Sequence, residues 1–430
     1  MKFIFADSLD FVDPSYDFVA DRSSASRKPY WDDAYPHEIL GYAPYDGILV
    51  SRGIVGDHRI SGKYSQAQAM RFRRVGAREF LRLNSPEFAA LQLFGDCGAF
   101  TYANQYEPPY TPTDTVAFYD DCGFTHGCSV DHIIFDFEES PKGLDGGTDE
   151  ARRRYDLTLA NARSFLEEAR QSGRFTPMGV VQGWSPASMA AAARSLKDMG
   201  YSYIAVGGMV PLKSDQIKAC LQEIRDAVPD LQMHILGFAK ANEIGSFAPF
   251  KITSFDTTSP LIRAFKDAKQ NYYLRTAPET LSYYTAIRIP QSIENVRLQR
   301  LVREGTFRSE DLTRLEREAL GSLRAFDRRE CKVTDVLAPV LRYNAVIATD
   351  RPYEEVADTP TMRKLEVAYR RTLEDRPWER CACPICQSAK VEVAIFRASN
   401  RNKRRGIHNL GVFKNIVDDL SAHWETAWTA

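Results

Sequence analysis

Met178-Gly179-Val180-Val181-Gln182-Gly183, then the helix-like run Pro186 to Met199 closed by Gly200, then Tyr203-Ile204-Ala205-Val206-Gly207-Gly208, is the stretch that decides the fold. A short apolar run, an amphipathic stretch of helical length and a second short apolar run make one βαβ unit. Such a unit places its two strands parallel in one sheet. The pattern repeats outward in both directions. Apolar runs occur at Gly47-Ile48-Leu49-Val50, Leu91-Gln92-Leu93-Phe94, His132-Ile133-Ile134-Phe135, Met233-His234-Ile235-Leu236 and Ile252-Thr253-Ser254-Phe255. Leu157 to Ser172 and Ser214 to Ala227 are further helix-like segments between them. Seven or eight units in one stretch favour an α/β fold of the (β/α)8 TIM-barrel type over an open doubly wound sheet. No G-x-G-x-x-G follows the first run, which weakens a dinucleotide-binding reading.

Polar or glycine residues stand directly after these runs: Asp96, Asp136, Gln182, Gly207-Gly208, Gly237 and Asp256. In a barrel all of them face one rim, where catalytic groups collect. Each alone is also what a solvated strand end looks like. As a set they point to a shared site.

The chain has 430 residues, enough for a catalytic barrel with accessory elements. We expect a barrel region over 1–290, a helical insertion over 291–375, and a zinc-binding subdomain with a closing helix over 376–430. The insertion is read from the charged, helix-like segments Ser292 to Glu304, Ser309 to Arg329 and Met362 to Glu374, and the closing helix from Asn409 to Trp424. Net charge is −1, so attraction to nucleic acid must come from local patches. The N-terminal apolar stretch is too short for a signal peptide, and no run of 18 apolar residues occurs. We therefore expect no membrane association. No repeat of fixed period is visible.

Three thiols and an imidazole are gathered near the C-terminus: Cys381, Cys383 and Cys386 in C-x-C-x-x-C, and His408. This set suits one tetrahedral Zn2+ with no open position, hence a structural rather than catalytic ion. The other five cysteines form no regular framework. Together these features suggest a reducing, cytoplasmic setting.

Two aspartates carry the chemistry we expect: Asp96 in Phe94-Gly95-Asp96-Cys97-Gly98-Ala99-Phe100, and Asp256 in Phe255-Asp256-Thr257-Thr258-Ser259-Pro260. Paired carboxylates at a barrel mouth suit glycosidic chemistry, one as nucleophile and one as acid/base. Asp136 and Gln182 offer groups that complement a purine edge, and Phe100 can stack on a base. A metal-dependent barrel hydrolase would need several histidines at strand ends. Only His132 and His234 of the seven lie in the apolar runs. A binding protein without catalysis would not need both aspartates. Two basic segments, Arg71 to Arg82 and Arg397 to Arg405, are candidates for phosphate contact, the latter through Arg401, Arg404 and Arg405.

These motifs, in this order, resemble the tRNA-guanine transglycosylase (queuine/archaeosine tRNA-ribosyltransferase) superfamily from about Leu91 to His408. Asp96-Cys97-Gly98-Ala99-Phe100 resembles its D-S-G-G-F/Y loop, and Val180-Val181-Gln182-Gly183 its I-V-Q-G. Ala205-Val206-Gly207-Gly208 resembles A-V-G-G, and Leu236-Gly237-Phe238-Ala239-Lys240 resembles M-G-V-G-K. Phe255-Asp256-Thr257-Thr258-Ser259-Pro260 resembles F-D-C-V-L-P, and the cysteine–histidine set its zinc site. The resemblance implies Asp256 as nucleophile and Asp96 as general acid/base. It also implies base binding by Asp136, Gln182, Gly207 and Gly208, with Phe100 and Leu236 on the two ring faces. Where the tRNA enzymes continue P-T-R, this chain reads Pro260-Leu261-Ile262-Arg263, and 117 residues separate Arg263 from Cys381. Ala6-Asp7-Ser8-Leu9-Asp10-Phe11-Val12-Asp13 and Pro29-Tyr30-Trp31-Asp32-Asp33 are similar to the DNA 7-deazaguanine transglycosylases of deazapurine-in-DNA gene clusters. That branch implies DNA as polymer, free 7-cyano-7-deazaguanine (preQ0) as incoming base, and room for an accessory protein of the same cluster or a homo-oligomer. The alternative polymer is tRNA.

Overall fold

The computed structural model describes residues 1–139, 143–238 and 241–429. Eight parallel strands close into a barrel in chain order: β1 Lys2–Ala6, β2 Gly47–Ser51, β3 Gln92–Asp96, β4 His126–Cys128, β5 Thr176–Val181, β6 Tyr203–Val206, β7 Gln232–Ile235 and β8 Ser254–Asp256. Ile4 of β1 pairs with Gly47 of β2 on one side and Asp256 of β8 on the other, which closes the ring. Alternate residues point inward along each strand. Ile4, Leu49, Phe94, Cys128, Met178, Val180, Tyr203 and Ala205 fill the interior as one buried cluster, so the barrel is packed rather than open.

The helices of the barrel include α1 Gln66–Val75, α2 Pro112–Cys122, α3 Asp149–Ser172, α4 Pro186–Met199 and α5 Ser214–Ala227. The boundaries of α4 follow from its end residues. Ser185 accepts a hydrogen bond from the Ser188 N–H, Pro186 has no N–H to strand in the first turn, and Gly200 takes a left-handed φ of 99°. Met189, Ala190, Ala192, Ala193 and Leu196 form its buried face.

The chain divides into two compact units. One is 1–9, 45–259 and 417–430, and the other is 10–44 and 260–416. The second unit contains a hairpin, β9 Tyr272–Ala277 with β10 Thr280–Tyr284, and the helices α6 Val296–Arg303, α7 Ser309–Asp327, α8 Val333–Thr349 and α9 Pro360–Asp375. Helix α10, Ser399–Thr429, supplies 399–416 to this unit and its remainder to the barrel unit. There Ser421 donates to the Met1 carbonyl at 3.2 Å. No described helix is long and apolar enough to cross a membrane.

One strand departs from expectation. The run His132-Ile133-Ile134-Phe135 is not β4. The strand is the three-residue segment His126–Cys128, and 129–139 continues without regular structure. Ile133 and Ile134 are buried all the same, because their backbone groups are satisfied by side chains. Arg154 donates to the Ile133 carbonyl at 2.6 Å, and the Ile134 N–H donates to Gln182 Oε1 at 3.2 Å. Burial here reflects a pinned loop rather than a sheet.

Candidate active site

A cavity of about 210 Å3 opens at the C-terminal ends of the strands. Its walls bring together Asp96, Phe100, Gln182, Gly207, Gly208, Leu236 and Asp256 of the expected set, with Asp131 as an eighth group. Strand ends deliver most of them: Asp96 ends β3, Gln182 follows β5, Gly207 and Gly208 follow β6, and Asp256 ends β8.

Asp136 is not in this cavity. It is exposed, and it accepts a 2.7 Å hydrogen bond from Thr148 Oγ1, the side chain that caps α3. The carboxylate that faces the cavity is Asp131, which follows the true β4 by three residues. Asp131 is buried, and two donors fix it: Cys97 Sγ on Oδ1 at 3.0 Å and Gln182 Nε2 on Oδ2 at 2.7 Å. In the sequence it stands before the apolar run His132-Ile133-Ile134-Phe135, which reads as the strand, so no strand end marks it.

Gln182 is held from both ends of its amide, by Ile134 N–H on Oε1 and by Asp131 on Nε2. Gly207 is required beside it: a Cβ there would lie 2.4 Å from Gln182 Nε2. Gly208 adopts φ 72°, a left-handed conformation that other residues rarely take. Phe100 is largely exposed at the mouth, 6.2 Å from Phe135 between ring centroids. Leu236 packs against the barrel core. Ala239 and Lys240, the end of the motif begun by Leu236, lie outside the described residues.

The two catalytic candidates have different surroundings. Asp96 is pushed up to about 7, first by burial and then by the nearby Asp131 carboxylate; Asp256 adds to the rise, while Ser51 and the Gly98 N–H oppose it. Burial also raises Asp131. Asp256, 6% exposed, accepts on Oδ1 from the Gly237 N–H at 2.9 Å and faces His234 Nε2 at 3.2 Å. The arrangement places a carboxyl with a raised affinity for its proton and a second carboxyl fixed by hydrogen bonds on one small cavity.

In the second unit, Cys381, Cys383, Cys386 and His408 offer four ligand atoms that all lie within 4.8 Å of one another. His408 Nδ1 stands 3.6, 3.3 and 3.3 Å from the three sulfurs. Tetrahedral bonds of roughly 2.3 Å to sulfur and 2.0 Å to nitrogen would separate those atoms by about 3.5 Å, so the set fits a metal ion. The other ring nitrogen of His408 donates to the Tyr273 carbonyl at 2.7 Å, which leaves Nδ1 free to bind the ion.

The arginines expected to meet phosphates do not face solvent. Arg401 is fully buried and pairs with Asp21 and with Glu392 at 2.7 Å. Arg404 donates to the Asp13 carbonyl and to Asn400, and Arg405 to the Val393, Ile395 and Ala264 carbonyls. Their guanidinium groups tie 10–44 and 390–396 to α10. A run of cations without acids in sequence thus reflects acids supplied from far along the chain. In the other basic segment, Arg78 likewise donates to the Phe88 and Leu91 carbonyls.

No family model matches the chain. A curated protein of Salmonella montevideo described as a DNA-guanine transglycosylase is 40% identical over 418 residues, covering 96% of this chain and 96% of that protein.

Proposed function

The chain belongs to the DNA-guanine transglycosylases, and we propose that it replaces guanine in DNA by a 7-deazaguanine base, 7-cyano-7-deazaguanine (preQ0), through a covalent glycosyl-Asp256. The observation that carries this reading is the convergence of Asp96, Asp131, Gln182 and Asp256 on one nucleobase-sized cavity at the catalytic rim.

The expected chemistry has two steps. Asp256 Oδ2 forms a bond to C1′ as the C1′–N9 bond breaks, and the departing electron pair on N9 takes the proton of neutral Asp96. Guanine leaves and the free deazaguanine enters. Asp96, now ionised, removes the N9 proton of the incoming base. N9 attacks C1′, and Asp256 departs as carboxylate. The polymer backbone is never cut. Asp96, at about 7, is suited to both directions of this transfer near neutral pH.

A guanine-type edge has donors at N1 and N2 and an acceptor at O6. Asp131 accepts from the donors, while the Gln182 amide and the Gly207-Gly208 backbone complete the edge. Phe100 and Leu236 cover the two ring faces. This assigns to Asp131 the role expected of Asp136. A target base in a duplex must leave the stack to enter such a cavity, at a cost of a few kcal/mol.

The Cys381, Cys383, Cys386 and His408 set holds one Zn2+ in this reading. Four protein ligands leave no position for substrate, so the ion secures the fold. Thiolate ligands suit a cytoplasmic enzyme.

The test is incubation of purified protein with labelled 7-deazaguanine base and either DNA or tRNA, with Asp256→Asn as control. Label should enter DNA and be lost in Asp256→Asn. Label entering tRNA and never DNA would overturn the polymer, and full exchange by Asp256→Asn would overturn the nucleophile.

A further inference from the structure

His234 is wholly buried inside the barrel, yet both of its ring nitrogens are occupied. Nε2 faces Asp256 Oδ1 at 3.2 Å, and Nδ1 lies 2.6 Å from Ser254 Oγ. Ser254 Oγ is in turn 2.6 Å from the Tyr203 hydroxyl. Four side chains on three adjacent strands, β6, β7 and β8, therefore form a single file that ends on Asp256. Phe94 closes the side of the imidazole at 5.1 Å between ring centroids.

We propose that His234 is a positioning residue for Asp256, donating from Nε2 to Oδ1 so that Oδ2 is the oxygen presented to C1′, with Ser254 and Tyr203 fixing the tautomer that allows it. The inference rests on the reading of Asp256 as nucleophile.

An Asp256 carboxylate ionised for attack and a neutral imidazole give the direction of each bond in this proposal. An ionised carboxylate only accepts, so the proton between His234 and Asp256 is on Nε2. With the imidazole neutral in this proposal, Nδ1 accepts and Ser254 donates to it. Ser254 has given its only proton and receives one from Tyr203. Burial pushes the Tyr203 phenol up to about 12, so it keeps that proton. The Gly237 N–H reaches the same Oδ1 at 2.9 Å. Two donors thus converge on one oxygen, and among the described residues none is directed at Oδ2. In the glycosyl-enzyme Oδ1 is the ester carbonyl. The same two donors stabilise the negative charge that returns to it as the C1′–Oδ2 bond breaks.

The test compares His234→Phe, which keeps a flat ring without donors, with His234→Gln, whose amide nitrogen reaches the place of Nε2. Removing a donor aimed at developing charge costs about 10²–10³ in kcat. His234→Phe should lose kcat on that scale while KM for the free base changes by less than about threefold, because the base edge is read elsewhere. His234→Gln should recover most of the loss. Ser254→Ala, which leaves the imidazole in place but frees its tautomer, should lower kcat about tenfold or more; it serves as the second variant if the phenylalanine form fails to fold. Wild-type kcat in His234→Phe, or in Ser254→Ala where that is the folded variant, would overturn the proposal. So would equal losses in the glutamine and phenylalanine forms. Exchange by Asp256→Asn overturns instead the nucleophile reading, so the two failures are distinct.

Discussion

In the proposed mechanism Asp96 is protonated when guanine leaves and ionised when the new base arrives, and its surroundings set the balance between the two forms. Burial and the Asp131 carboxylate raise it to about 7 from an ordinary 3.8. Guanine release should therefore slow about tenfold per pH unit above 7 in single-turnover measurements. Asp131→Asn removes the second cause of the rise and should move that limb to lower pH, besides weakening base binding. A limb unmoved in Asp131→Asn would show that the two carboxylates do not interact as described. Stability follows the same group with a definite sign. The folded value lies above the unfolded one, so the stability contributed is present below about 4 and lost as pH rises through 7. Asp96→Asn should consequently abolish exchange while raising the melting temperature by a few degrees at pH 8 and by less at pH 4. Melting curves of both proteins at the two pH values check this.

At the scale of elements, what the sequence made legible followed from local rules. Pro186–Met199 and Ser214–Ala227 are helices over the residues their periodicity indicates, because caps and an apolar stripe within each segment define them. Strand ends were legible where a strand carries a continuous apolar run, as at Val180-Val181 before Gln182. They failed at β4, whose His126-Gly127-Cys128 carries no such run, and the carboxylate that lines the cavity after it is Asp131 rather than Asp136. The pairing of Phe94 with His126 and of Cys128 with Met178 fixes β4, and both are long-range contacts that no local pattern reveals. β1 was likewise missed as a strand, although it closes the barrel by pairing with both β2 and β8. The junction after β6 offers a sharp test of the site built on these ends. Gly207→Ala puts a methyl 2.4 Å from Gln182 Nε2 and must displace the amide from Asp131. KM for the free base should rise about tenfold or more, the scale of a lost polar contact of 1.4 kcal/mol, with a smaller change in melting temperature. An unchanged KM would remove Gln182 from the base edge.

For the molecule as a whole, the metal set and the arginines of α10 act on one structural problem. Residues 10–44 and 260–416 form a unit whose segments are far apart in sequence. Arg397 pairs with Asp21 and Glu316, Arg401 with Asp21 and Glu392, and Arg324 with Glu392. Such buried charges are stable only while every partner is in place. Asn409 adds bonds to the Tyr273 N–H and to the Pro260 and Asn271 carbonyls, so α10 anchors the hairpin as well. A metal ion held by Cys381, Cys383, Cys386 and His408 would join this helix to the 381–386 turn. Structural zinc contributes roughly 10–16 kcal/mol in small peptides, as much as the whole stability of a typical domain. Its removal is therefore expected to release α10 and, with it, the charge network that depends on it. In chelator-treated protein, amide protection should fall throughout 260–416 and also in 10–44, which holds no ligand but is tied to Arg397, Arg401 and Arg404. Strands β3, β5 and β6, whose partners lie within the barrel unit, should keep theirs. Protection lost only at 381–386 would mean the metal braces a turn and not a unit, and unchanged protection in metal-free protein would remove its structural role altogether.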